Sequence, residues 1–126
     1  MAKTSVGYQN YGLNTNGKTM AKKVYISLPI AHYDLEERRA YAQKIEDMLK
    51  CFYEEVVNPL KNGIDAEAHW SIHMRKDIQD LLQCDAIYMC QDWQWSHGCK
   101  LEHDVATSCG IEVKYEKDSW KPNNLG

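Results

Sequence analysis

Four short apolar runs separated by helical patterns constrain the fold of this chain more than any other feature. The runs cover residues 24–28, 55–58, 85–90 and 111–115, and the first two are followed by Pro29 and Pro59. Runs of this length that are rich in β-branched and aromatic residues are typical of buried strands. Strands that alternate with helices need crossover connections, so the pattern predicts a parallel sheet.

The first two intervening segments show the spacing and capping signals of helices. Asp34 is suited to be the N-cap of a helix that ends near residue 50, with Glu36 and Glu37 in its first turn. A second helix is predicted over residues 69–83. The residues predicted to form its apolar stripe are Ile72, Ile78, Leu81 and Leu82.

The third helix follows the run at 85–90. Leu101, Val105 and Cys109 lie at positions i, i+4 and i+8, which predicts that they share its buried face. Gly110 is placed to end this helix as a C′ residue. Glu102 is expected in the first turn, where the helix dipole would keep its carboxylate ionised.

These elements together predict a three-layer αβα domain of the Rossmann or flavodoxin-like class, with a short parallel sheet in strand order 2-1-3-4. Right-handed crossovers would place helices on both faces of the sheet. Ligands of such sheets bind beyond the carboxyl ends of the strands at the point where the strand order reverses. In this chain those ends are residues 27–33 and 91–98.

Composition and charge exclude several classes of protein. A chain of 126 residues suits one domain, predicted over residues 23–115, with a loosely attached or disordered N-terminal extension over 1–22 and a C-terminal tail over 116–126. The net charge of −3 and the scattered basic residues argue against a nucleic-acid polymer as partner. The sequence shows neither a membrane span nor a signal peptide. The five cysteines are read as thiols of a reducing cytoplasm.

The histidines and cysteines are candidate metal ligands, and the cysteines are also candidate nucleophiles. His69 and His73 have helical spacing, but Trp70 stands where the HExxH zinc motif needs glutamate, and no CxxC pair exists. Scattered surface histidines are the simpler explanation, so we expect no metal and no cofactor. Cys99 would have a lowered thiol pKa at a helix N-terminus, but the sequence offers no oxyanion loop, so an ordinary cysteine at the start of a helix is the better explanation.

An anion-binding turn and three carboxylates remain as candidates for chemistry. Ser96 and Gly98 enter a helix, where free backbone N–H groups favour phosphate. Asp77 lies late in the second predicted helix, Asp85 opens the third predicted strand, and Glu102 lies in the first turn of the third helix. Taken one at a time, each carboxylate also fits an ordinary structural role, such as a solvated helix residue or a favourable partner of the helix dipole.

Three segments resemble those of one enzyme superfamily, and they occur in the same order. They are YISLPI from residue 25, DIQDLLQCDAIY from residue 77 and SHGCKLE from residue 96. This pattern is similar to the nucleoside 2-deoxyribosyltransferase superfamily, which includes deoxynucleoside 5′-monophosphate N-glycosidases, and most similar to its small bacterial and phage branch. The resemblance covers about residues 23–115.

The resemblance implies roles for individual residues. Glu102 matches the catalytic glutamate that attacks the anomeric carbon of the sugar. Asp77 matches an aspartate that orients the sugar or serves the leaving base, and Tyr25 matches a tyrosine near the nucleophile. Ser96 matches a phosphate-binding serine. Further residues expected to bind substrate are Ser27, Gly98, Trp93 and Trp95.

Three functions follow as hypotheses. The first is cleavage or deoxyribosyl transfer at the N-glycosidic bond of a nucleoside or nucleotide, by a protein that forms a homo-oligomer. The second is a non-catalytic nucleotide- or sugar-phosphate-binding module, because Leu28 and His103 stand where related enzymes have smaller residues. The third is a structural oligomer. Trp93 and Trp95 would stack on a base in the first hypothesis and, with Trp120, form subunit contacts in the third.

Overall fold

A parallel sheet of four strands forms the centre of the protein, which the computed structural model describes over residues 22–116. The strands are β1 (Lys23–Ser27), β2 (Glu55–Val57), β3 (Ala86–Met89) and β4 (Glu112–Tyr115). They lie in the order β2-β1-β3-β4, and each neighbouring pair is parallel. The predicted strand order is therefore confirmed. The predictions for residues 1–21 and 117–126, Trp120 included, lie outside the described residues.

Three helices cover the two faces of this sheet. They are α1 (Leu35–Leu49), α2 (Trp70–Leu81) and α3 (His97–Ser108), and two short 3-10 helices span Pro59–Lys61 and Trp93–Trp95. The Asp34 carboxylate accepts a hydrogen bond from the Glu37 N–H at 3.0 Å and caps α1 as the sequence predicts. Gly110 follows α3 with φ of 74°, the left-handed conformation expected of a C′ glycine.

The alternation of side chains along β1 divides the core into two clusters. Val24, Ile26 and Leu28 pack with residues of α1 on one face. Tyr25 belongs to the cluster that contains Leu81 of α2 together with buried residues of α3. Because successive strand residues point to opposite faces, the arrangement is a three-layer αβα fold. It also directs Tyr25 and Ser27 towards the α2 and α3 layer.

The buried face of α2 differs from the predicted stripe. Met74 and Leu81 are buried, whereas Ile72 and Leu82 are 44% and 50% exposed. Met74 and Leu81 are seven residues apart, which is almost two helical turns, so they share a face. Ile72 lies two residues before Met74 and therefore points to the opposite side. Leu81 and Ile78 of the predicted stripe do face the core, so the spacing located the helix correctly and identified half of its buried face.

The prediction for α3 was also only partly right, because Val105 packs against the core as expected but the other two residues do not. Leu101 is 37% exposed and Cys109 is also exposed, while the buried residues are Cys99, Glu102 and Ala106. These three lie at i, i+3 and i+7, which is the spacing of one helix face. The stripe is thus shifted by one residue, and the shift brings a carboxylate into the interior.

Two further observations concern the chain as a whole. Within residues 22–116, no helix has the length and apolar character that a bilayer crossing requires. All five cysteines lie in this part of the chain as free thiols, with Cys51 and Cys109 exposed.

Candidate active site

The carboxylate of Glu102 is the centre of the candidate site. It is 5% exposed and meets two hydroxyl groups of the central strand. The Tyr25 hydroxyl donates to Oε2 at 2.9 Å, and the Ser27 hydroxyl donates to Oε1 at 2.7 Å. Both donors are fully buried. A carboxyl group removed from water is costly unless it is hydrogen-bonded, and here each oxygen has a donor.

The local environment shifts the pKa of Glu102 upwards. Burial raises it to about 8, the hydrogen bond from Ser27 lowers it, the charge of Asp77 raises it, and the bond from Tyr25 lowers it. The expectation of a carboxylate kept ionised in the first turn was wrong. Since α3 begins at His97, Glu102 lies in its second turn, beyond the region where the helix dipole is effective.

Asp77 lies beside this carboxyl group on the neighbouring helix. It is half-buried, and burial is the main reason why its pKa rises to about 6. Its charge raises the pKa values of both Glu102 and Tyr25, so the three groups share one electrostatic environment. The structure therefore brings together four of the residues singled out from the sequence, namely Tyr25, Ser27, Asp77 and Glu102.

Cys99 lies next to the cluster but is unsuited to act as a nucleophile. It is buried, and burial followed by the charge of Glu102 raises its thiol pKa to about 11. A thiol must ionise to attack, so at neutral pH this group is an inert neutral side chain.

Ser96 and Gly98 form the turn that starts α3. Ser96 is the N-cap, and its hydroxyl oxygen accepts a hydrogen bond from the Cys99 N–H at 3.2 Å. A Cβ atom on Gly98 would lie 3.4 Å from the sulfur of Met74 and 3.9 Å from the indole nitrogen of Trp70. The start of α3 thus packs against α2 at a distance where a Cβ atom would make ordinary van der Waals contacts. Binding of phosphate by this turn stays a prediction.

The two tryptophans of the loop after β3 lie in different surroundings. Trp93 stacks on His103 with ring centroids 4.4 Å apart, and His103 Nε2 lies 2.9 Å from the hydroxyl of Tyr115. The buried indole nitrogen of Trp93 has no hydrogen-bond partner among the described residues. Trp95 is 84% exposed. One face of Trp93 is therefore already covered within the chain, whereas Trp95 is accessible.

The unusual residues Leu28 and His103 are both accommodated away from the carboxylate pair. Leu28 lies in the cluster on the α1 face, opposite to the face that carries Glu102. His103 lies in the aromatic stack with Trp93 and Tyr115. Leu28 thus points away from Glu102, and the ring of His103 is engaged by its aromatic neighbours.

His69 and His73, the two histidines with helical spacing, each have a hydrogen-bond partner nearby in the sequence. His69 is the N-cap of α2, where Nδ1 accepts from the Ser71 N–H, and His73 Nε2 lies 3.0 Å from the carbonyl of Asp65. Within residues 22–116, no group of three or more histidine, cysteine or acidic side chains has an arrangement that could hold a metal ion.

Two surface grooves lie beside α2. One of about 570 Å³ follows the outer side of α2 from Trp70 to Leu82. The other, of about 310 Å³, lies at the edge of β2 and is lined by charged groups and amides, among them Asn58, Lys61 and Asn62. Glu102 lines neither groove.

Asn62 contacts the site but is not among the residues predicted from the sequence. Its side-chain nitrogen donates to Asp77 Oδ1 at 3.2 Å. The only signal was the Asn62-Gly63 pair, which indicates a turn but not the partner of the side chain.

Comparisons with known proteins identify relatives of the chain. The model of a protein family described as a domain of unknown function, DUF4406, matches residues 22–115. A comparison with curated protein sequences gives no significant match.

Two solved structures resemble the chain. The structure of a 2-desoxiribosyltransferase from Leishmania mexicana aligns with 75% of this chain at 22% identity and a TM-score of 0.56. The chain spans 63% of that protein's length. A conserved protein from Enterococcus faecalis V583 aligns with 83% of this chain and 71% of its own, at 19% identity and a TM-score of 0.55. These similarities establish a nucleoside 2-deoxyribosyltransferase-like fold.

Proposed function

The chain belongs to the DUF4406 family, and from this premise we propose that it cleaves or transfers the N-glycosidic bond of a nucleoside or nucleotide. The observation that carries the proposal is the buried Glu102 carboxyl group, held by the hydroxyls of Tyr25 and Ser27 beside Asp77. This pair of carboxyls lies at the carboxyl end of the central strands, where ligands of parallel sheets bind. The fold shared with the Leishmania mexicana 2-desoxiribosyltransferase supports the same substrate class.

The two carboxyl groups have complementary chemistry for this reaction. Cleavage of a glycosidic bond passes through an oxocarbenium-like transition state, which an ionised carboxylate can stabilise or trap. In the proposed first step, a Glu102 oxygen bonds to the anomeric carbon while the bond from that carbon to the base breaks. Asp77 gives its proton to the departing base. Water or a second base then displaces Glu102 and returns a proton to Asp77.

The donors on β1 have a defined part in this cycle. Tyr25 and Ser27 hydrogen-bond both oxygens of Glu102, so they orient the carboxylate and stabilise its ionised form. Their removal would leave a buried carboxyl group in its neutral state. Ser96 and Gly98 at the start of α3 are proposed to bind a 5′-phosphate, and Trp95 to contact the base or a second subunit.

The direct test follows the release of free base. Purified protein is incubated with a panel of nucleosides and nucleoside 5′-monophosphates, and free base is measured by chromatography. We expect release by the native protein and a loss of at least about 100-fold in Glu102→Gln, because the amide cannot act as a nucleophile. Asp104→Asn, on the exposed side of the same helix, is the matched control and should retain activity. Unimpaired release by Glu102→Gln would disprove the proposed role.

A second candidate function is a nucleotide- or sugar-phosphate-binding module without catalysis. The observation that favours it is that Glu102 is almost inaccessible and that both of its oxygens already have donors. This function predicts that a nucleoside monophosphate raises the melting temperature without release of base. Base release that depends on Glu102 would rule it out.

The cellular setting is part of the same proposal. Five free thiols support a reducing compartment, and we propose the cytoplasm. Residues 23–115 are proposed to act as one domain, and the assembly is proposed to be a homodimer or larger homo-oligomer.

A further inference from the structure

Two asparagines flank the short 3-10 helix that follows β2. Asn58 precedes Pro59–Lys61 as its N-cap, and Asn62 follows as its C-cap. The side-chain oxygen of Asn58 accepts from the Leu60 N–H at 3.0 Å, and that of Asn62 accepts from the Ile64 N–H at 2.8 Å. Each asparagine therefore closes the same kind of local turn, two residues ahead of itself.

These turns fix the direction of both side-chain amides. A backbone N–H can only donate, so the atom facing it must be the amide oxygen, and the NH₂ group points the other way. Asn58 Nδ2 donates to Glu46 Oε1 at 3.1 Å, and Asn62 Nδ2 donates to Asp77 Oδ1 at 3.2 Å. One 3-10 turn thus holds a carboxylate of α1 at one end and a carboxyl group of α2 at the other.

The two acidic partners have opposite character. Glu46 also meets the amines of Lys50 and Lys61 at 2.9 and 3.0 Å. Burial raises its pKa, but these bonds and that from Asn58 outweigh it and hold the pKa at about 2. Glu46 is thus a permanently ionised structural group. For Asp77, burial dominates over the single bond from Asn62, so its pKa rises to about 6 and it can exchange a proton near neutral pH.

We propose that Asn62 is a positioning residue, which holds Asp77 through Oδ1 and leaves Oδ2 as the oxygen that carries and transfers the proton. This inference rests on the proposed N-glycosidic reaction. A proton on Oδ1 would face the N–H of Asn62, so the neutral carboxyl group must be protonated on Oδ2. When Oδ2 gives this proton to the departing base, the negative charge that develops on Asp77 is stabilised by the hydrogen bond to Oδ1.

The backbone around Asn62 supports this role. The Asn62 N–H donates to the carbonyl of Pro59 at 3.2 Å, so the residue is held through its backbone and both ends of its side chain. Gly63 follows with φ of 82°, a conformation that side-chain-bearing residues rarely adopt. The chain turns sharply there, and this turn places the Ile64 N–H against the amide oxygen.

The test compares isosteric variants at the two equivalent asparagines. Asn62→Asp keeps the acceptor for the Ile64 N–H but replaces the donor to Asp77 by an oxygen. Asn58→Asp makes the same change beside Glu46, which keeps its two lysines. Two quantities are measured for each variant: the titration midpoint of Asp77 by carboxyl-carbon NMR, and the pH dependence of base release.

We expect the Asp77 midpoint to move to higher pH in Asn62→Asp and in Asn62→Ala, and to stay unchanged in Asn58→Asp. In the Asn62 variants kcat should fall by about tenfold or more with KM nearly unchanged, because proton transfer and not binding is impaired. Because Asp77 has the lower pKa of the two carboxyl groups, the pH at which activity declines on the acidic side should move with the Asp77 midpoint. Melting curves show whether each variant is folded. Asn62→Ser retains a hydroxyl donor on a shorter side chain and should therefore keep part of the kcat that Asn62→Ala loses.

The outcomes separate this inference from the proposed function. If the native protein releases base but Asn62→Asp keeps its kcat and pH profile, Asn62 has no positioning role although the reaction stands. If the native protein releases no base, the proposed function fails. The NMR titration still shows whether the hydrogen bond from Asn62 affects the ionisation of Asp77. An Asp77 midpoint that is the same in native protein and both Asn62 variants would overturn the inference in either case.

Discussion

At the scale of single residues, two opposing effects set the pKa of Glu102: burial raises it, and the hydrogen bonds from two hydroxyl groups lower it. In a purely apolar site Glu102 would be neutral over a wide pH range. The hydroxyls of Tyr25 and Ser27 lower its pKa by stabilising the ionised form. Asp77 adds a second titrating group of lower pKa on the adjacent helix. Two neighbouring carboxyl groups whose pKa values differ are the usual basis for separate acid and base roles.

The first prediction concerns the pH dependence of the proposed reaction. Glu102 must be ionised and Asp77 protonated, and this form is most populated between the two pKa values, so kcat/KM should rise with pH up to about 6 and decline above about 8. Because the group that must be protonated has the lower pKa, the profile should be a bell centred near pH 7. Initial rates of base release from pH 5 to 10 measure it. A flat profile across this range would contradict the assignment of both groups.

The second prediction concerns stability. The folded-state pKa of Glu102, about 8, is raised from its ordinary value of 4.5, so the folded protein binds this proton more tightly than the unfolded chain. The resulting stabilisation is complete below pH 4.5 and is lost as pH rises through about 8, a change on the order of 5 kcal/mol. Glu102→Gln, which resembles the neutral acid, should lose less of its free energy of unfolding between pH 6 and 9 than the native protein. Urea unfolding at both pH values provides the comparison, and equal losses would refute it.

At the scale of elements, α3 is part of the core and also carries Glu102, the proposed nucleophile. Its N-terminal turn is capped by Ser96, its buried face carries Cys99, Glu102 and Ala106, and Gly110 ends it. The spacing of its apolar residues placed the helix correctly in the sequence. That spacing could not place Glu102 inside, because a carboxylate is normally assigned to the solvent side and here two hydroxyls of β1 make its burial tolerable.

The third prediction separates the two tasks of Ser96. Removal of the cap in Ser96→Ala should lower the free energy of unfolding by about 1 kcal/mol, because the Cys99 N–H loses its acceptor. If Ser96 also binds a phosphate, KM for a nucleoside 5′-monophosphate should rise while KM for the parent nucleoside stays the same. Steady-state kinetics with both substrates gives the answer. Equal changes in the two KM values would leave Ser96 with capping alone.

At the scale of the whole molecule, the parallel topology creates the candidate site. The strand order places β1 and β3 side by side in the middle of the sheet, and α2 and α3 lie on one face. Tyr25, Asp77 and Glu102 come from three separate elements and meet only through this arrangement. The groove along α2 and the exposed Trp95 of the loop after β3 are further accessible apolar surfaces.

The fourth prediction concerns assembly. Trp95 is the accessible tryptophan of the loop after β3, whereas Trp93 is packed on His103. If the loop is a subunit contact, Trp95→Ala should lower the molar mass measured by light scattering, with Trp70→Ala on the neighbouring groove as a comparison. A mass unchanged from that of the native protein would exclude Trp95 from the contact.

By itself, the sequence determined the parallel sheet, its strand order and the strand ends that meet at the candidate site. Apolar runs and helical spacing are local, so they can be identified without knowledge of distant contacts. The resemblance to a known superfamily singled out Tyr25, Asp77 and Glu102. Neither source specified which faces of α2 and α3 are buried, because that depends on how the helices pack on the sheet.

Only the tertiary structure determined the pKa values of Glu102 and Asp77. The bonds from Tyr25 and Ser27 to Glu102 cross 77 and 75 positions of sequence, and the bond from Asn62 to Asp77 crosses 15. The pKa of a carboxyl group is set by its burial and by the groups around it, and not by its position in a helix. For this reason the sequence suggested an ionised glutamate in a first turn, whereas the fold produced a buried acid held by two hydroxyls of β1 beside Asp77 of α2.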